Sequence, residues 1–393
     1  MTGRWRAVRP WRPATALACA ILAAGCGSVS GRTQAQSPDA TTVPLSPTAA
    51  LTFSGTTWAS VPMGAAAGAN QFWQLFKDQA GRWSLQTPPD IATNGALLLT
   101  TQDKPAPGGT LVVGVRPSLY LDYSPVTTTS NGGHGWATLS PESGLANVPD
   151  AIAAAPDGHL VALGRDQTVS TLSLAAGSDW ATLTTEHDLA ATGAGRDCAL
   201  AGLTATAFTQ AGSPMLGGTC GRADRVGIFT ESAGRWHLAG PALPSSLAGR
   251  QIRILRLARS TDGDVVVAEA GTGPAASLFA GWTTDAGQHW SLSPVLRLGT
   301  SYPESVSFGQ GGTTAVVLSD GHGETVTGPG ASWRSLPTLP AGRTVTLALP
   351  AAGETDALAA DGSVLTAWQL VPGSARWSKT QVIKVPIQYG SSG

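Results

Sequence analysis

Charge is what this sequence has least of. Only 12% of its 393 residues are charged, and 24 basic residues stand against 25 acidic ones, which gives a formal net charge of −1. A protein that binds nucleic acid needs a basic surface that neutralises phosphates. Because the sequence offers no such surface, we expect no nucleic-acid partner.

Cysteine is also scarce. Besides two cysteines near the start, the chain has only Cys198 and Cys220. No Cys-x-x-Cys pair occurs and the six histidines are scattered, so we predict no metal site and no cofactor. In an oxidising compartment an isolated pair usually forms a disulfide. We therefore expect Cys198 and Cys220 to bridge the ends of one hairpin, with two separate buried thiols as the alternative.

Long apolar runs and helical patterns are missing as well. No segment has the 18 or more consecutive apolar residues of a transmembrane helix, and apolar residues rarely recur at helical spacing. The 49 glycines and 27 prolines suit a fold with many turns. These features predict an all-β protein.

The N-terminus has the features of a targeting segment. The basic stretch "MTGRWRAVRPWRP" precedes the short apolar run "ATALACAILAAG" and then Cys26. This arrangement resembles a bacterial lipoprotein signal, although Ala23 occupies the place where that family prefers Leu. The resemblance implies a signal peptide over residues 1–25 and a lipid on Cys26. The protein would then be extracytoplasmic and anchored to the bacterial cell membrane; the alternative is an ordinary secretory signal with an incidental cysteine.

Residues 26–50 have the composition of a linker. They are rich in Ser, Thr, Gln and Pro and lack any apolar period, which is typical of a disordered tether. The folded domain is therefore predicted over residues 51–390, and we expect it to be a monomer.

A tryptophan that follows a glycine-containing turn recurs along the folded part. The spacing between successive copies is 43 to 56 residues, which is typical of a β-propeller with several short strands in each repeat. Asp-Gly pairs between apolar runs mark hairpins within the repeats. The pattern predicts a seven-bladed β-propeller of four-stranded antiparallel blades. The repeated residues are Trp83, Trp136, Trp180, Trp236, Trp290, Trp333 and Trp377.

The clearest copy is "TTDAGQHW", with Thr283, Asp285, Gly287 and Trp290 at fixed offsets. An Asp side chain in a tight turn accepts hydrogen bonds from N–H groups just downstream, and Gly supplies a positive φ. The stretch resembles the Asp-box (BNR repeat) of sialidase-like β-propellers. That resemblance implies a structural role on the face away from the ligand. A second copy has Asn in place of Asp: Thr129, Asn131, Gly133 and Trp136.

The sialidase resemblance does not extend to the catalytic residues. The Phe/Tyr-Arg-Ile-Pro motif that carries the first arginine is missing, and we interpret Tyr302 near Glu304 as a coincidence in a loop. Residues 186–188, Glu-His-Asp, are interpreted as a solvated loop. We therefore assign no catalytic residue and predict a surface-exposed lipoprotein that binds a glycan, peptide or partner protein. A degenerate sialidase-like glycoside hydrolase is the alternative.

Three arginines carry the one prediction of a ligand site. Arg116, Arg165 and Arg222 each follow the second predicted strand of successive repeats. These strand ends should face the mouth opposite the tryptophan turns, where arginines could bind an anionic group. Solvated loop arginines are the alternative.

Closing the ring needs a strand from one terminus. The C-terminal stretch "VIKVPI" is longer than a last outer strand requires. We expect it to cross over and supply the innermost strand of the first blade, which would remove two free sheet edges.

Overall fold

The computed structural model describes residues 47–64, 71–89, 91, 95–102, 109–116, 124–139, 148–174, 179–350 and 353–386. The predicted signal peptide, the lipid site at Cys26 and nearly all of the tether lie outside these residues. Within them, no helix is long and apolar enough to cross a membrane. The first strand begins at Ala50, next to the predicted domain boundary at residue 51.

The regular structure of the described residues is almost entirely β, in successive groups of antiparallel strands. The first two groups are β1 (Ala50–Phe53), β2 (Thr56–Gly64), β3 (Gln71–Gln79) and β4 (Arg82–Leu85), then β5 (Ala96–Gln102), β6 (Thr110–Arg116), β7 (Val126–Thr129) and β8 (Ala137–Thr138). The third and fourth are β9 (Pro149–Ala154), β10 (His159–Gly164), β11 (Thr168–Ser173) and β12 (Ala181–Thr185), then β13 (Leu200–Phe208), β14 (Pro214–Cys220), β15 (Gly227–Ser232) and β16 (Arg235–Leu238).

The later groups follow the same plan. Next come β17 (Ile252–Ser260), β18 (Gly263–Ala270), β19 (Ser277–Thr283) and the short β20 (Ser291–Leu292) and β21 (Leu296–Arg297). Then follow β22 (Pro303–Phe308), β23 (Thr314–Leu318), β24 (Gly323–Val326) and β25 (Arg334–Ser335). The last group is β26 (Thr344–Ala348), β27 (Thr355–Asp361), β28 (Val364–Leu370) and β29 (Ser378–Lys384).

Burial explains why the strands in the middle of each group are almost continuous apolar runs in the sequence. Every residue of β18 and β19 is buried, because both faces of each sheet pack against neighbouring groups. The outermost strands, such as β16 and β29, alternate between half-buried and exposed residues. Asp-Gly turns connect β9 to β10, β17 to β18, β23 to β24 and β27 to β28, as the sequence predicts.

The groups form a closed circuit. Each hydrophobic cluster is shared by two consecutive groups, and one cluster joins Phe76 of the first group to Leu358 of the last. The Thr344 hydroxyl also donates a hydrogen bond to the Pro62 carbonyl across that seam, at 2.7 Å. The core is therefore a ring of layers between sheets rather than one central nucleus.

The repeated tryptophans connect neighbouring strand groups across the boundaries between them, which we call seams. In three of them the indole N–H donates to a backbone carbonyl about one repeat earlier in the chain, which satisfies the indole while its ring covers apolar surface. The pairs are Trp290 with Ala239 (2.7 Å), Trp333 with Pro294 (3.0 Å) and Trp377 with Pro337 (3.2 Å).

The predicted ring closure by the C-terminal strand is wrong. Residues 382–384 belong to β29, which pairs with β28 at the outer edge of the last group. The strand beside β2 is instead β1, from the N-terminal end, which also pairs in parallel with β22, Ala50 opposite Ser307. A single short strand thus contacts two groups that are distant in sequence.

A disulfide joins Cys198 to Cys220, with Cα atoms 4.9 Å apart. Cys220 ends β14, but Cys198 lies in a helix rather than in the hairpin partner expected from the sequence. Two short helices, α1 (Glu186–Ala190) and α2 (Gly193–Cys198), precede β13. Residues 186–188, interpreted as a solvated loop, lie in α1, so the predicted loop is wrong, although His187 and Asp188 are exposed as expected. Threonine hydroxyls cap both helices, which explains why this polar stretch is helical.

Candidate functional site

The turn Thr283–Trp290 is held by its own side chains. The Thr283 hydroxyl donates to Asp285 Oδ1 at 2.8 Å and accepts from the Gly287 N–H at 3.0 Å. Asp285 also accepts from the His289 backbone N–H at 2.8 Å and lies 2.6 Å from the His289 ring. These hydrogen bonds lower the pKa of Asp285 to about 2. Gly287 has a φ of +89°, and a Cβ there would lie 2.8 Å from the Ala239 carbonyl oxygen.

The second turn repeats this network with an amide. The Thr129 hydroxyl bonds to Asn131 Oδ1 at 3.0 Å and accepts from the Gly133 N–H at 2.9 Å, while Asn131 Oδ1 accepts from the Gly135 N–H at 2.8 Å. Trp136 packs edge-on against Trp58, with ring centroids 6.4 Å apart. Because an amide oxygen replaces the carboxylate, the turn needs an acceptor rather than a charge.

The strand ladders place these turns and the predicted arginines at opposite ends. Thr129 ends β7 opposite Leu111, near the start of β6, whereas Arg116 ends β6 opposite Ala96. Arg165 directly follows β10, and its N–H bonds to the carbonyl of Val148 just before β9. The arginine end is thus the end at which β5 and β9 begin.

Arg116 and Arg165 converge on one carboxylate. Arg116 Nη1 and Arg165 Nε each lie 3.8 Å from Asp150 Oδ1. The Asp150 side chain is only 8% exposed, whereas that of Arg165 is 52% exposed. Both contacts are ionic only, because Asp150 Oδ1 has no hydrogen-bond partner among the described residues.

Arg222 does not join this cluster. It is exposed after β14, and its backbone N–H bonds to the Cys198 carbonyl at 3.1 Å. The structure thus brings together two of the three predicted arginines. Tyr302, 59% exposed, lies just before β22, and Glu304 is exposed as well.

Two further arginines of β17 extend the cluster. Arg256 is buried and donates through Nη1 to the Leu255 carbonyl at 2.5 Å. Arg253 forms a 2.6 Å ion pair with Glu269 on the neighbouring strand β18. The site therefore combines four arginines with two carboxylates, an excess of two positive charges.

Burial controls the electrostatics of the site. Desolvation raises the pKa of Asp150, and the nearby charges of Arg116, Arg165 and Arg256 oppose that rise. Desolvation lowers the pKa of Arg256 to about 9, and the positive charge of Arg116 adds to the effect. Desolvation also lowers the pKa of Arg116, and the negative charge of Asp150 opposes that change. A bound anion would relieve this repulsion.

The cluster adjoins a cavity between the first strands of several groups. The cavity has a volume of about 100 Å³, and Asp150 and Arg256 are among the residues that line it, together with parts of β1, β5, β9, β13 and β17. No group of His, Cys, Asp and Glu in the described part of the chain could hold a metal ion.

The sequence missed Asp150, Arg253 and Arg256. A usable signal was present, because "IRILRLARS" carries arginines within a strand whose other residues are mostly apolar. Charged residues are rarely buried without a partner, so arginine inside a strand of an inner layer marks a special position.

No protein-family model and no curated protein matches this chain. Solved structures do match. A protein provisionally named a 6-phosphogluconolactonase from Bacteroides uniformis is 14% identical, with a TM-score of 0.51, over 83% of this chain and 96% of that one. A protein from Lactobacillus plantarum is 10% identical, with a TM-score of 0.48, over 83% and 96% of the two chains. A structure described as YCF48 bound to D1 peptide is 11% identical, with a TM-score of 0.43, over 88% and 94%.

At these identities the likeness defines the fold alone. The chain is an all-β protein of antiparallel sheets, and its structural neighbours are β-propeller-like proteins. The resemblance to sialidase-like propellers stays a prediction from the two turns.

Proposed function

We propose that this chain is a non-catalytic, seven-bladed propeller that binds an anionic group of a glycan, peptide or partner protein at the arginine end of its axis. The observation that carries the proposal is the convergence of Arg116 and Arg165 on Asp150, with Arg253 and Arg256 close by. Four guanidinium groups outnumber two carboxylates there. Guanidinium groups are suited to bidentate binding of carboxylate or phosphate.

Seven blades account for the strand groups and the clusters between them. Each group would be one blade, with β1, β5, β9, β13, β17, β22 and β26 innermost. The cluster that joins the first and last groups supports closure of the ring.

The surface location of the proposal rests on the N-terminal sequence. A lipid on Cys26 would anchor the protein outside the cytoplasm and leave the propeller free to meet ligands. The disulfide between Cys198 and Cys220 is consistent with an oxidising compartment.

The carboxylates of the site do not favour hydrolysis. A glycosidase needs two carboxyl groups that flank the scissile bond, one as acid and one as nucleophile or base. In the described cluster, Asp150 lies between two arginines and Glu269 is paired with Arg253. Glu269 is therefore hydrogen-bonded to a guanidinium group, and Asp150 faces two positive charges that stabilise its ionised form.

The test is ligand binding by the double variant Arg116→Gln/Arg165→Gln. Wild-type protein on a glycan and peptide array should retain anionic ligands, with affinity that falls as salt rises, and the double variant should lose most of that binding. Arg222→Gln, which removes an exposed arginine outside the cluster, is the matched control. Salt-independent binding of a neutral ligand that the double variant retains would refute the proposal. Turnover in a glycosidase panel, abolished by Asp150→Asn, would favour the hydrolase instead.

A further inference from the structure

The cavity beside the arginine cluster is lined by polar groups that have no hydrogen-bond partner among the described residues. Arg256 lies in β17 with 8% of its surface exposed, and its Nε–H has no hydrogen-bond partner among the described residues. A buried charged donor without an acceptor is costly. The Nε–H therefore needs an acceptor, and the described chain places none within hydrogen-bond distance.

A second unsatisfied donor lines the same cavity. Thr206, on the adjacent first strand β13, is 4% exposed, and its hydroxyl has no partner among the described residues. Its neighbour Thr204 is satisfied, because it donates to the Ile254 carbonyl at 2.6 Å. The contrast marks Thr206 as a donor left open towards the cavity.

Size and polarity limit what could fill this space. The volume of about 100 Å³ has room for only a few water-sized groups. Part of the lining is apolar, with Leu98, Ala205 and Leu257. Water would satisfy the donors but would leave Arg256 to share the charge of Asp150 with Arg116 and Arg165. A small anion with an apolar end satisfies both requirements.

We propose that the cavity beside the arginine cluster binds a small carboxylate anion, whose oxygens accept hydrogen bonds from Arg256 and Thr206. A planar carboxylate matches the edge of a guanidinium group. The alkyl part of the anion would pack against Leu98, Ala205 and Leu257. The inference rests on the proposed function only in taking the arginine end as the entry to the cavity.

The experiment is calorimetric titration of sodium acetate into the purified protein at constant ionic strength. Sodium gluconate supplies the background salt, because its six-carbon chain is too large for the cavity. Arg256→Met keeps the volume but removes the donor and the charge, and Thr206→Val removes only the hydroxyl. Arg297→Met removes an exposed arginine of β21 and serves as the matched control.

Wild-type protein should bind acetate. Arg256→Met should raise the Kd at least about tenfold and Thr206→Val about three- to tenfold, the range expected for charged and neutral hydrogen bonds. Arg297→Met should leave the Kd unchanged. If Arg256→Met does not fold, Thr206→Val decides. Absence of an acetate-dependent heat in wild-type protein, or a Kd unchanged in both cavity variants, would overturn the inference.

The mouth variant separates this inference from the proposed function. If Arg116→Gln/Arg165→Gln keeps its array ligands while acetate binding still depends on Arg256, the proposed function fails and the cavity site stands. If the double variant loses its ligands while acetate does not bind to wild-type protein, the proposed function stands and the cavity site fails.

Discussion

The seam between the last and first strand groups should make stability depend on pH. Here Trp83 donates its indole N–H to a carboxylate, Asp356 Oδ2 at 2.8 Å, rather than to a backbone carbonyl. Asp356 is 4% exposed, and its Oδ1 has no hydrogen-bond partner among the described residues. Asp78 and Glu354 add negative charge nearby. Ionised Asp356 would therefore be poorly solvated and repelled by its neighbours.

The sign and size of the effect follow from the pKa. Burial chiefly, with help from Asp78 and Glu354, raises the pKa of Asp356 to about 7 against the opposing hydrogen bond from Trp83. In the unfolded chain an Asp has a pKa of about 3.9. Between these values the folded state binds more protons than the unfolded state, so stability falls as pH rises from about 4 to about 7. The loss amounts to roughly 4 kcal/mol.

The test is Asp356→Asn, which keeps an oxygen for Trp83 but cannot ionise. We expect the unfolding free energy of the wild type to fall relative to the variant by roughly 4 kcal/mol between pH 4 and pH 8, as measured by urea denaturation. Any fixed cost of burying the amide changes the unfolding free energy of the variant by the same amount at every pH. Asp264, whose pKa is also raised to about 7, contributes the same pH dependence to both proteins. Asp361→Asn, on the same strand but exposed and paired with Arg343, should follow the wild type. Parallel pH curves for wild type and Asp356→Asn would refute the reasoning.

Three further predictions concern the turn, the disulfide and the anchor. Asp285→Ala should lower the melting temperature without changing ligand binding. Asp285→Asn should lower it less, because Asn131 makes the same contacts in the second turn; a stable variant that lost binding would contradict this. Replacing Cys198 and Cys220 by Ser should cost about 3 kcal/mol in urea denaturation, and a negligible loss would contradict it. Cys26→Ser should move the protein out of the detergent phase, and equal partition of the two proteins would remove the lipid anchor.

The local parts of the fold could be predicted from the sequence. The turn before Trp290 and the Asp-Gly hairpins, such as Asp262-Gly263, depend on neighbouring residues only, so a single stretch carries the whole signal. Ring closure could not be predicted in the same way. The strand that pairs with β2 is β1, which also pairs with β22, far away in the sequence. The short β1 has no local feature that marks it as a strand.

In the candidate site, too, the residues with a local sequence signal were predicted and those that depend on distant partners were not. Arg116 and Arg165 were predicted because each follows a strand at a comparable place in its repeat. Asp150 and Arg256 were not predicted, because their role comes from an electrostatic interaction between different strand groups. A residue's partner on another sheet leaves no mark in the local pattern.

The exceptions to the repeat are the most informative positions of this fold. Where the repeat is regular, seams are closed by neutral hydrogen bonds, as from Trp290 to the Ala239 carbonyl. At the closing seam Asp356 takes the place of such a carbonyl, and at the cavity Arg256 is a second buried ionisable group that lacks a full set of partners. Each such group lowers stability unless a proton or an anion compensates it. Local conflicts of this kind are expected at functional positions, which is the reason that the pH titration targets Asp356 and the acetate titration targets Arg256.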